Sequence, residues 1–256
     1  MTEPGSRPLI IGNWKMHLSA SRAAAHAREL LALPPPPGDR EIAVAPSFTS
    51  IPAVAAAIKG SALRLAAQDL AFEDEGPYTG EVSGAMLQDL GVTYVLIGHS
   101  ERRQHLGETD LMVARKVRAA LRADLLPVVC VGEQETARAS GRASTVVRGQ
   151  LLRAIEDVPR GEASRLVISY EPVWAIGTGR AASPADAGEM QALIRREATR
   201  LFGEAAKGIR ILYGGSVSPA NIDSFMARPG IDGALVGTAS LDPAEFARIA
   251  AFRRPT

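Results

Sequence analysis

Cysteine is nearly missing from this 256-residue sequence: Cys130 stands alone, which rules out an internal disulfide and suits a reducing compartment. Charge of one sign is missing too. Lys+Arg 29 against Asp+Glu 28 leaves +1, so there is no basic field for a nucleic acid and no acidic tail. No apolar run approaches the roughly 18–20 residues of a membrane helix. Residues Met1 to Pro8 are polar and carry two prolines, unlike a secretory signal. The expectation is a soluble, cytoplasmic protein with no nucleic-acid or membrane partner, its residues 1–7 a flexible N-terminal extension. The four histidines keep no metal-ligand spacing with one another or with Cys130, so no metal is expected. Lysine is scarce as well: Lys15, Lys59, Lys116 and Lys207 are the only four among 29 basic residues, which makes Lys15, beside a Gly-Asn-Trp element, stand out.

What is present is a rhythm. Short Val-, Ile- and Leu-rich runs recur at residues 9–14, 42–45, 63–67, 93–97, 126–131, 166–170, 208–213 and 233–236. None alternates cleanly between apolar and polar, as expected of strands buried on both faces of a parallel sheet. Helical patterns separate them at 20–33, 50–58, 83–90, 110–123, 143–157, 184–202, 219–226 and 243–251. Ser183-Pro184, Ser218-Pro219 and Asp242-Pro243 each read as a capping side chain before a proline at the first helical position. Eight strands alternating with eight helices predict an α/β protein, a closed (β/α)8 barrel, over a single domain spanning residues 1–256. A doubly wound open sheet is the runner-up, but no Gly-x-Gly-x-x-Gly follows the first run. The prolines at 34–37 read as a stiff connector.

Charged and glycine-rich residues cluster where the apolar runs end, and in a barrel those ends share one rim. Asn13 and Lys15 follow the first run, His99-Ser100-Glu101 the fourth, Glu171-Pro172 the sixth, Gly214-Gly215-Ser216 the seventh and Gly237-Thr238 the eighth. A carboxylate at Glu171, beneath an apolar and glycine-rich loop over 172–180, would be a stronger base once desolvated. Read alone, it could equally be a rim residue paired with an arginine. That loop has the make-up of a hinged lid, with Pro172, Trp174, Ile176, Gly177 and Gly179. His99 at a helix entrance would stay neutral and donate to a substrate oxygen, or else be structural. Glu101 also reads as a plain first-turn carboxylate. His26 and His105 read as surface residues, while His17 is left open. Lys15 could sit over an anion, and the two glycine turns read as backbone N–H cradles for phosphate.

Gly12-Asn13-Trp14-Lys15-Met16, Gly98-His99-Ser100-Glu101-Arg102-Arg103, Tyr170-Glu171-Pro172-Val173-Trp174-Ala175-Ile176-Gly177-Thr178-Gly179 and Tyr213-Gly214-Gly215-Ser216-Val217 together resemble the triosephosphate isomerase family, in order and across essentially the whole chain. Ala67-Gln68-Asp69 and Tyr78-Thr79-Gly80-Glu81-Val82-Ser83 resemble its long third loop. The resemblance implies a (β/α)8 TIM barrel that interconverts dihydroxyacetone phosphate and D-glyceraldehyde 3-phosphate through an enediolate, in glycolysis and gluconeogenesis, without metal or organic cofactor. Glu171 would move the proton between carbons and His99 would serve the two oxygens. Lys15 and Asn13 would bind the substrate, and Gly177, Ser216, Gly237 and Thr238 would hold its phosphate, with Ser100 and Glu101 in support. It also implies a homodimer in which Thr79 reaches the partner's site.

Four positions depart from the family's habit: Thr238 where a second glycine is usual, Asp69 where Asn is common, Gly84 in place of Pro or Ala, and Arg180 in place of Lys. The β-branch of Thr238 would resist a positive φ and adds bulk beside the phosphate. Thr238 therefore leaves room for an isomerase of a four-carbon tetrulose phosphate; a reading from another class is a non-catalytic phosphate-ligand sensor, whose natural mark, loss of the base, is not seen at Glu171.

Overall fold

The computed structural model describes residues 7–176 and 182–254. Of the expected extension only Arg7 falls within them. Its guanidinium donates to the carbonyls of Gly38 (2.8 Å) and Arg40 (2.7 Å).

The apolar runs are strands: β1 Leu9–Asn13, β2 Glu41–Ala45, β3 Arg64–Ala67, β4 Tyr94–Ile97, β5 Leu126–Val131, β6 Val167–Tyr170, β7 Arg210–Tyr213 and β8 Gly233–Val236. All pair in parallel in chain order, and β8 pairs back onto β1, closing the barrel and excluding the open sheet. The missing alternation has a direct cause, because each strand is buried on both faces. Leu9, Ile11, Tyr94, Leu96, Val128, Val167, Leu212 and Leu235 fill the barrel. Ile10, Val44, Val95, Ile97, Val129, Ile168 and Ile211 pack outward under the helices. At the N-terminal end Arg210 binds the Tyr94 hydroxyl (2.7 Å) and Glu41 (2.9 Å). Burial pushes the Tyr94 phenol up to about 12 against the pull of Arg210.

The helices are α1 Ala20–Ala32, α2 Ile51–Ile58, α3 Gly84–Asp89, α4 Ser100–His105, α5 Asp110–Arg122, α6 Glu135–Ala139, α7 Ala143–Ile155, α8 Pro184–Phe202, α9 Ile222–Met226 and α10 Pro243–Ala250. Ten are thus present among the described residues where eight were expected. The extra α4 and α6 are too short to display a 3.6-residue period, so the count of eight omits them, although the helix entrance read at His99 is the start of α4. Ser183 and Asp186 form a capping box on α8, and Asp242 accepts from Ala244 and Glu245 at the start of α10. Ser218-Pro219 does not open a helix. Asn221 Oδ1 accepts the Ser218 N–H (2.8 Å) in a turn, and α9 starts only at Ile222.

His26 is a second correction. It is buried, not a surface residue, with its ring edge-on to Trp14 (centroids 4.8 Å apart) and its Nε2–H donating to the Ser240 carbonyl. His17 and His105 are exposed.

Candidate active site

Five strand ends deliver the rim residues. Asn13 closes β1, His99 follows β4, Glu171 follows β6, Ser216 follows β7 and Gly237 follows β8. The turn into His99 needs a glycine. Gly98 has φ +74°, and a Cβ there would stand 2.8 Å from Val113 and 2.9 Å from Arg103.

Asn13, Lys15, His99, Ser216, Gly237 and Thr238 line one pocket of about 150 Å³. Glu171 and Ser100 line a neighbouring cavity of about 240 Å³, whose floor includes Cys130. His99, from the first lining, and Glu171, from the second, approach each other at Nε2 and Oε1, 3.7 Å apart. Thr79 lines neither pocket; it stands exposed on the loop after β3. Gly177 lies outside the described residues, as does the rest of the expected lid from Gly177 to Arg180.

Glu171 is 1% exposed. Its Oε2 accepts the Ser100 N–H (3.0 Å), while Oε1 is buried with no hydrogen-bond partner. His99 caps α4: its Nδ1 accepts the Glu101 N–H at 3.3 Å. A nitrogen that accepts a hydrogen bond cannot carry the proton, so the neutral ring presents Nε2–H toward Glu171 and the pocket.

Lys15 sits in the left-handed region at φ +52°, which is rare for a residue with a side chain. Asn13 Oδ1 accepts its N–H (3.0 Å) and Gln68 Nε2 donates to its carbonyl (2.8 Å), so both ends of the residue are held. Its ammonium pairs with Glu101 (2.5 Å). Burial opposes ionisation of Glu101, yet the bond from Lys15 and the charge of its ammonium keep the carboxyl below the ordinary range. Thr238 is exposed and opens a 3-10 turn with Gly237 before it. The strain expected of its β-branch does not arise, since among the described residues only Lys15, Leu18 and Asp124 are non-glycines with positive φ. Ser216 Oγ donates to the Ala175 carbonyl (2.6 Å), tying the β7 turn to the segment after Glu171.

Sequence reading missed two supports. Gln68 also donates to the Ala45 carbonyl (2.8 Å) and so joins the β1 and β2 ends. Glu133 is wholly buried and accepts from the Tyr170 hydroxyl (3.1 Å) and the Trp174 indole (2.9 Å). It too is a carboxylate at the end of an apolar run, the same signal that singled out Glu171. Burial, followed by the charge of Glu133, pushes the Tyr170 phenol far up. Among the described residues no three His, Cys, Asp or Glu side chains gather as metal ligands.

A buried carboxylate with one unpartnered oxygen, an imidazole nitrogen 3.7 Å away, a held cation and a pocket at the strand ends suit one chemistry. It is proton abstraction next to a carbonyl on a small anionic substrate.

A family profile described as triosephosphate isomerase matches residues 8–253. The triosephosphate isomerase of Moorella thermoacetica is 52% identical over 246 residues, covering 95% of this chain and 97% of that protein. The one from Chloroflexus aurantiacus is 53% identical over 243 residues, covering 94% and 97%. The crystal structure of triosephosphate isomerase from Bartonella henselae superposes with a TM-score of 0.86 at 36% identity, covering 95% of this chain and 98% of that one.

Proposed function

The chain belongs to the triosephosphate isomerase family, and from that membership we propose how its own residues divide the work. The protein is an isomerase that interconverts dihydroxyacetone phosphate and D-glyceraldehyde 3-phosphate, a step of glycolysis and gluconeogenesis. Glu171 takes the proton from one carbon and returns it to the next. Its burial and its unpartnered Oε1 support that role. His99 donates from Nε2 to the substrate oxygens, stabilising the enediolate without carrying a full positive charge. Lys15 and Asn13 bind the substrate and offset its developing negative charge. Ser216, Gly237 and Thr238, with Gly177, hold the phosphate through backbone N–H groups, while Ser100 and Glu101 support Glu171 and Lys15. Phosphate contacts remote from the reacting carbons supply binding energy that serves the chemical step.

The observation that carries this division is the 3.7 Å approach of Glu171 Oε1 to the Nε2 of a ring whose Nδ1 is already occupied by the Glu101 N–H. Exchange of substrate hydrogen into heavy water, followed beside turnover of glyceraldehyde 3-phosphate in a coupled assay, tests it. Glu171→Gln must abolish both.

The tetrulose reading finds no support, because relatives at about half identity are named triosephosphate isomerase. The sensor reading falls on the same ground.

A homodimer working in the cytoplasm completes the proposal. Met16, next to Lys15, is 94% exposed, and the loop after β3 that carries Thr79 is exposed as well. An apolar side chain so open at the rim suits a partner subunit that covers it with its own third loop, bringing Thr79 toward Asn13 and Lys15. Sedimentation at micromolar concentration distinguishes a dimer from a monomer.

A further inference from the structure

Below Glu171 the inner wall of the barrel carries a second polar side chain that none of these roles uses. Ser169 lies on β6 two residues after Val167, whose side chain fills the barrel, and two residues before Glu171, which follows the strand's end. Across the β5–β6 pairing it stands beside Cys130. Ser169 is wholly buried and its Oγ has no hydrogen-bond partner, while the Cys130 thiol is turned to the Val128 carbonyl (3.8 Å). A buried hydroxyl with no bond carries a desolvation cost that alanine would avoid.

Two distances set this hydroxyl against the base. A Cβ on Gly214 would stand 2.6 Å from Ser169 Oγ and 2.8 Å from Glu171 Cγ, so both press on the same point at the end of β7. In the observed pose the Ser100 N–H donates to Glu171 Oε2, Oε1 has no hydrogen-bond partner, and the Cys130 thiol also bears on the carboxylate. A carboxylate that leaves Ser100 to reach a substrate carbon gives up that donor while remaining buried.

We propose that Ser169 is a positioning residue for the base: its hydroxyl donates to the Glu171 carboxylate once that carboxylate has left the Ser100 N–H. The inference rests on Glu171 being the base. Ser169 acts through Glu171 and does not touch substrate. The titratable groups facing this point are His99 from the entrance of α4 and Cys130 from β5. Farther out, Lys15 is paired with Glu101, Arg103 with Asp110 and Glu133 with Tyr170, and the Tyr213 hydroxyl lies against Gly215. Changing Ser169 leaves all of these pairings in place.

Ser169→Ala removes the donor without adding bulk. The expected result is a kcat lowered about three- to tenfold with KM held to about twofold, the mark of a contact made only on the way to the transition state. The acid limb of kcat against pH should also move to higher pH by several tenths of a unit, because a bond to the charged carboxylate favours ionisation. An unchanged kcat and acid limb, with Tm level or raised, would show a hydroxyl that merely fills space or holds a buried water, and would overturn the proposal. Glu171→Gln assayed in parallel keeps the two readings apart. Turnover surviving in Glu171→Gln defeats the assignment of the base itself. An inactive Glu171→Gln beside a normal Ser169→Ala defeats only the role of Ser169.

Discussion

Lys15 Nζ and Glu101 Oε1 pair at 2.5 Å across the barrel mouth, joining the ends of β1 and β4 through residues 86 apart in the chain. The pair is partly open to water, so it stabilises the fold little. Its consequence is aim: with the backbone of Lys15 fixed by Asn13 and Gln68, Glu101 sets where the ammonium points. Glu101→Gln should raise KM about three- to tenfold and weaken competitive inhibition by inorganic phosphate to a similar degree, with a smaller change in kcat. An unaltered KM would mean that the backbone contacts alone direct Lys15.

Shortening the proposed base should be far more damaging. Glu171→Asp shortens by one methylene the arm that carries the carboxylate from the Ser100 N–H, where it rests beside the His99 ring, to the substrate carbon. Misplacement by about 1 Å costs on the order of a hundredfold in rate. The expected outcome is a kcat lowered at least that much, with inorganic phosphate binding unchanged. A variant that turns over within tenfold of the parent would place the base elsewhere.

How much of this could be read from the sequence follows from burial and chain length. The strands were legible because burial on both faces leaves continuous apolar runs, and their charged ends pointed to one rim once a barrel was inferred. Two features have no such trace. The left-handed φ of Lys15 arises from contacts with Asn13 and Gln68, the latter more than fifty residues away in sequence. Ser169 sits inside an apolar run, where a small polar residue gives no hint of whether it faces a neighbouring helix or the floor of a site. The reading of His26 as a surface residue failed for a related reason, since the carbonyl that satisfies it belongs to Ser240, at the far end of the chain.

Asp69, a departure from the family's common Asn, completes a balanced buried cluster. Lys116 donates to both Asp69 oxygens (2.7 and 2.9 Å) and to Glu108, while Arg102 pairs with Asp69 (2.7 Å) and Glu108 (3.4 Å). Burial pushes the Asp69 carboxyl up, with Lys116 opposing. Lys116→Met would leave two buried carboxylates facing one partly exposed guanidinium, at a cost of about 3–5 kcal/mol in stability. Proton uptake by the stranded carboxylates should make the loss smaller at acid pH. Urea unfolding at neutral and mildly acid pH checks both; a loss below about 1 kcal/mol would mean that Arg102 suffices.

Met16→Asp tests the proposed assembly. A charge placed on the exposed rim should cost a covered interface several kcal/mol, enough to shift a dimer to monomer at micromolar concentration. Because Lys15 is the next residue, turnover should fall with dissociation and recover partly at high protein concentration. A variant that sediments and turns over like the parent would free this surface from any role in pairing.

His26 makes a pH-dependent contribution to stability whose sign can be worked out. Its imidazole is held below the ordinary 6.5, first by burial, with the bond to the Ser240 carbonyl pulling the other way. Between that depressed value and 6.5 the unfolded chain binds more protons than the folded one, so stability rises with pH through this window. The contribution is complete above 6.5 and is lost as pH falls through the folded value. Asp39, Asp186 and Asp223, whose carboxyls are held low mainly by hydrogen bonds from Arg40, Ser183 and Arg248, lose their contributions only below the ordinary carboxylate range. The two effects therefore separate in pH. His26→Gln, which can still donate to the Ser240 carbonyl, should flatten the dependence of unfolding free energy on pH between about 7 and 5. It should leave the steeper fall near pH 4 and below intact. Parallel slopes for variant and parent across the upper window would show that the buried ring does not set the acid sensitivity of the fold.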